Sequence, residues 1–77
     1  MEIIVLGANC AKCNNVYRVI EKVIAETGIE ATLHKEQDIT KIITYGVMTT
    51  PAVVVDGVVM FAGYVPTEMQ VKEALGL

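Results

Sequence analysis

Apolar and polar positions along the chain switch between two periods. Ile3-Ile4-Val5-Leu6 is a continuous apolar run headed by Glu2, the pattern of a strand covered on both faces inside a sheet with parallel neighbours. Gly7-Ala8-Asn9 makes a turn, and Asn9 is placed to cap a helix starting at Cys10. Val16, Val19, Ile20, Val23 and Ile24 then recur at the i, i+3, i+4, i+7, i+8 spacing of one buried helical stripe. Arg18, Glu21, Lys22 and Glu26 take the outer side, and Gly28 stops the helix. From Ile29 to Lys35 the period falls to two, with Ile29, Ala31 and Leu33 on one face and Glu30, Thr32 and His34 on the other. This is a second, half-exposed strand. A helix separates it from the first, so the economical connection is a right-handed crossover with the two strands parallel.

Asp38 can cap a short helix carrying Ile39, Ile42 and Ile43, which Gly46 ends. After Met48-Thr49-Thr50-Pro51, two apolar runs, Ala52 to Val55 and Val58 to Phe61, flank Asp56-Gly57. Asp-Gly between such runs marks a hairpin, because that two-residue turn needs positive φ at both positions. Thr67-Glu68-Met69-Gln70 has the form of a capping box, opening a last helix with Val71, Ala74 and Leu75 inward. The expected order is β-α-β-α-β-β-α.

Composition narrows the class. A chain of 77 residues forms a single small domain, residues 1–77, close to the size at which one core only just outweighs chain entropy. Its hydrophobic share of 53% is mostly Val, Ile and Ala, so the core is expected to be branched aliphatic, with Met48 and Met69 filling gaps. The net charge is −3 and the basic residues are scattered, which leaves no track for a phosphate backbone and excludes nucleic acid as a partner. No apolar run approaches the about 20 residues of a membrane helix, and the N-terminus lacks a basic region followed by an apolar signal core. A cytoplasmic protein with no membrane partner is expected. His34 lies on the polar side of its strand, where a solvated imidazole is the ordinary outcome.

The chemistry concentrates at Cys10 and Cys13, the only cysteines, at the junction of the first strand and first helix. Two cysteines three apart on a helix start can close a disulfide within one turn, and the unpaired N–H groups there favour the thiolate of the first. So short a loop removes little entropy from the unfolded chain, which argues against a purely structural bridge.

Cys10-Ala11-Lys12-Cys13 at that junction, together with Tyr45-Gly46-Val47 leading to Thr50-Pro51 before a Val-rich hairpin, resembles the thioredoxin superfamily in its small glutaredoxin-like form. More narrowly, it is similar to the short redox-active disulfide proteins of archaea and bacteria. The resemblance covers essentially the whole chain and implies an α/β thioredoxin-like fold, a four-stranded mixed sheet with helices on both faces. It implies a thiol:disulfide oxidoreductase with no organic cofactor, only a redox-active Cys10/Cys13 disulfide. Cys10 would attack a substrate disulfide and Cys13 would resolve the mixed disulfide. Pro51 matches the family's cis-proline, and Thr50 would offer its backbone to an extended client segment as an added strand. Gly63 would border the same groove. A thioredoxin-reductase-type enzyme would supply electrons, disulfide-containing proteins would receive them, and a monomer is expected.

The chain also departs from the family's patterns. Ala11-Lys12 replaces Gly-Pro or Pro-Tyr, which makes Lys12 a candidate for modulating the thiolates by its charge. The buried acid of thioredoxins has no counterpart in the first strand except Glu2, at its start. Gly63-Tyr64-Val65-Pro66-Thr67 lacks the Gly and Asp pair that holds glutathione in glutaredoxins, which favours a protein reductase over glutathione. Tyr64 is expected at the groove rim. The rival reading is a soft-metal module, because Gly7 to Cys13 superficially resembles the loop with which small copper-chaperone domains bind Cu(I) through two thiolates. Ala8 in place of Met, a final helix where those domains have a strand, and Pro51 count against it.

Overall fold

A computed structural model of the protein describes residues 1–7 and 11–77. The elements follow the expected order: β1 (Glu2–Leu6), α1 (Ala11–Thr27), β2 (Thr32–Glu36), α2 (Ile39–Thr44), β3 (Ala52–Val55), β4 (Val58–Ala62) and α3 (Glu68–Ala74). The proposed Asn9 cap and Cys10 lie outside the described residues.

Local signals set most boundaries. Gly28 takes φ +68° and its N–H donates to Ile24 C=O, closing α1. The Asp38 side chain accepts from the Thr40 N–H at the start of α2, and the Thr67 and Gln70 side chains complete a reciprocal capping box at α3. Asp56 and Gly57 have φ of +47° and +83°, as the two-residue hairpin turn requires. The second strand begins later than its alternation predicts, at Thr32 rather than Ile29. Its partner β1 starts only at Glu2, which pairs with Thr32, so residues 29–31 have no strand beside them. Ile29, Ala31 and Leu33 still pack together against the core.

The strands form one mixed sheet in the order β2-β1-β3-β4. β1 runs parallel to β2 and antiparallel to β3, and β3 and β4 form the antiparallel hairpin. The first strand therefore lies inside the sheet as its apolar run predicts, but only one of its neighbours is parallel. The reason is the short second connection, from β2 to β3. α2 spans about 9 Å, and the chain re-enters the sheet with Ala52 opposite Leu6, at the end where β1 and β2 finish. An irregularity between Val53 and Val54 leaves Met60 as the extra residue of β4.

Alternate residues of β1 feed two cores. Ile3 and Val5 pack with Val16, Ile20 and Val23 of α1 and Val71 and Leu75 at the end of the chain. On the other face, Leu6 packs with Ile42 of α2, Val47, Ala52 and Val54. This is the expected sheet with helices on both faces. Two expectations about its filling fail: Met48 is 98% exposed and Met69 70% exposed, so neither fills the core. Of the three isoleucines of α2, only Ile42 is buried, while Ile39 and Ile43 face outward. A helix of six residues presents little more than one position to the sheet beneath it.

Candidate active site

The candidate site lies where β1 ends, α1 begins and the chain enters β3. Cys13 stands on the first turn of α1, buried to 3% exposure, and is disulfide-bonded. Beneath it lies the backbone of Gly7, whose N–H donates to Glu36 C=O at 3.0 Å, so the ends of β1 and β2 are tied at this point. Gly7 has φ +154°, and a Cβ built on it would overlap Cys13 Sγ, 3.4 Å from Cys13 Cβ and 3.6 Å from Thr50 Cβ. The backbone of Gly7 thus brings Cys13 and Thr50 into one small volume. The sequence marked Gly7 only as a turn residue; a glycine between a buried strand and a cysteine pair was the available signal.

Thr50 is exposed, Pro51 is fully buried, and the peptide between them is cis. The Pro51 C=O accepts from the Gly63 N–H at 2.8 Å, which joins the entry of β3 to the exit of β4. Gly63 is close to Thr49 as well: a Cβ there would stand 2.9 Å from Thr49 Oγ1. Cys13, Thr50, Pro51 and Gly63 therefore lie on linked segments at one end of the sheet. Lys12 is exposed on the first turn of α1. Tyr64 is half exposed and sets its ring edge-on against Phe61, with centroids 5.9 Å apart. His34 is exposed on β2, as its alternation predicts.

The polarity of this end is low. Among the described residues no polar or charged side chain is buried, and Glu2 is exposed at the opposite end of β1 from Gly7, roughly 17 Å away along a five-residue strand. Beside Thr50 an open apolar groove of about 680 Å³ runs over α2, lined by Ile39, Ile42, Ile43, Val47 and Met48. Sequence reasoning missed this groove, because it assigned those side chains to a helix stripe and a filled core.

A family model described as a thioredoxin domain matches residues 1–76. The chain belongs to the thioredoxin superfamily. Among curated relatives, a thioredoxin of Methanocaldococcus jannaschii is 37% identical over 71 residues, covering 92% of this chain and 81% of the relative. A thioredoxin of Methanothermobacter thermautotrophicus is 28% identical over 75 residues, covering 97% of each. As a member of the thioredoxin superfamily the protein is, at the general level, a thiol–disulfide oxidoreductase. After the β3–β4 hairpin the chain continues into the helix α3, the element order expected of the thioredoxin-like fold.

Proposed function

We propose that the protein cycles Cys10 and Cys13 between dithiol and disulfide to exchange electrons with disulfide-containing client proteins. The observation that carries this reading is Cys13, disulfide-bonded and buried on the first turn of α1 against Gly7 and beside Thr50. In the reducing direction the Cys10 thiolate attacks one sulfur of a client disulfide, forming a mixed disulfide and releasing the other client sulfur as a thiolate that takes up a proton. Cys13, as thiolate, then attacks Cys10, which closes the protein disulfide and releases the second client sulfur. Two electrons pass to the client and two protons end on its thiols. Burial suits Cys13 to the second step, since it hides that sulfur from solution thiols while leaving it within reach of its neighbour in the chain.

In this reading Thr50, Pro51 and Gly63 form the edge along which an extended client segment lies, and the apolar groove over α2 receives a side chain of that segment. Lys12 modulates the thiolates by its charge. A thioredoxin-reductase-type enzyme restores the dithiol, with no organic cofactor held by the chain, and the protein works in the cytoplasm as a single-domain monomer. Replacing Cys13 by Ser removes the resolving thiol. The Cys13→Ser variant, mixed with a disulfide-bonded client protein, is expected to accumulate a covalent adduct at Cys10 that dithiothreitol releases, and Cys10→Ser is expected to form none. Absence of adduct with the first variant under conditions where the unaltered protein reduces the same client overturns the proposed roles.

A further inference from the structure

We infer that Gly7 is a positioning residue that sets the redox equilibrium of the Cys13 disulfide, by leaving vacant the space that the oxidised sulfur occupies. This rests on the cysteine cycle proposed above. The Cys13 sulfur in its disulfide-bonded position lies where a side chain on residue 7 would begin. Residue 7 has little room to move, since Gly7 directly follows β1 and is pinned by its N–H to Glu36 C=O, and Cys13 Cβ and Thr50 Cβ close the same space at 3.4 and 3.6 Å. Neither wall can retreat without shifting the end of the sheet or the first turn of α1.

The two redox states respond differently to filling that space. In the disulfide, the Cys13 sulfur is held by a covalent bond with narrow angular tolerance. In the dithiol, its side chain is free to turn to another staggered rotamer. A methyl group at residue 7 therefore penalises the oxidised form more than the reduced form. The reaction concerned is protein disulfide plus two glutathione thiols giving protein dithiol plus one glutathione disulfide. Two electrons and two protons move to the protein, and each glutathione loses one of each. Gly7→Ala shifts this equilibrium toward the protein dithiol.

The test is a glutathione redox titration of the full chain, the Gly7→Ala variant and a Gly28→Ala variant. Gly28 also has positive φ, +68°, but an added Cβ meets nothing within 4 Å, so its replacement strains the backbone without touching the sulfur. Gly7→Ala is expected to favour the dithiol by tenfold or more, equivalent to about 30 mV toward more oxidising potential, while Gly28→Ala titrates like the unaltered protein. Urea unfolding of each protein in both redox states supplies the second readout, with the oxidised form of Gly7→Ala losing more stability than its reduced form. A variant that folds only when reduced supports the inference. An unchanged potential for Gly7→Ala, an equal shift in Gly28→Ala, or equal loss of folding in both states overturns it. A titratable disulfide in the unaltered protein with no shift in Gly7→Ala counts against Gly7 alone; no titratable disulfide in the unaltered protein counts against the cysteine cycle itself.

Discussion

Gly63 shows how much a single position carries where β4 exits beside the entry of β3. Its N–H donates to Pro51 C=O at 2.8 Å, its φ is +85°, and the space its side chain would fill is taken by Thr49 Oγ1. An alanine there must hold a left-handed conformation and displace that hydroxyl. Gly63→Ala is expected to cost about 1–2 kcal/mol from the backbone alone, read as a lowered urea midpoint. Adding Thr49→Ala removes the hydroxyl and should recover part of whatever loss exceeds that of the backbone. Full additivity of the two changes in a double-mutant cycle would deny the contact. The sequence, through its family resemblance, raised the expectation that Gly63 borders a client groove, and the groove over α2 is lined without it. The sequence did not disclose the pairing with Pro51 or the nearness of Thr49, since both depend on how the β3–β4 hairpin is seated. Gly7 is the same case: its place before the cysteines was legible, its contact with Cys13 was not.

Between elements, α1 and α3 are joined by buried Val23 and Val71 within one core and by a charged cluster above it. Lys22 Nζ lies 2.9 Å from Glu68 Oε1 and 3.9 Å from Glu26, and Lys72 is 3.9 Å from Glu26. The hydrogen bond to Glu68, then the charges of Glu68 and Glu26, raise the Lys22 pKa above 10.5, against a smaller opposing effect of desolvation. The folded state thus holds this proton more tightly than the unfolded one. The resulting stabilisation is complete below pH 10.5 and is lost as pH rises through the folded value. The groups are exposed, so the effect is small and screened by salt. In unfolding curves taken above pH 10.5, Lys22→Met is expected to lose stability less steeply than the unaltered protein, with the difference shrinking in high salt; identical slopes would remove Lys22 from the account. The caps at Asp38 and Thr67 were legible because each is a hydrogen bond between residues two or three apart. The face that α2 turns to the sheet was not, because Ile39, Ile42 and Ile43 are equally apolar and only the sheet selects Ile42.

At the scale of the whole molecule, the two cores leave an apolar surface open beside the candidate site, where Ile39, Ile43 and Met48 line the groove next to Thr50. These side chains are 64–98% exposed, so they add little to stability, and a role in client contact predicts that their loss is felt only with protein substrates. Ile39→Ser combined with Met48→Ser is expected to raise KM severalfold for a protein disulfide while leaving kcat, the rate with glutathione disulfide and the thermal midpoint nearly unchanged. A parallel fall in both substrates' rates would place the defect at the cysteines, and no change would empty the groove of a role. Sequence by itself determined the order of elements, their caps and hairpin turn, and the succession of Cys10, Cys13 and Thr50-Pro51 along the chain, because periodicity, capping and turn chemistry act over a few neighbouring residues. Only the tertiary structure decided that β3 runs antiparallel to β1, that Leu6 faces Ala52, and that Gly7, Cys13 and Thr50 share one volume. Those outcomes depend on strand register and on packing between segments far apart in the chain, where each side chain's position is fixed by what the rest of the molecule leaves free.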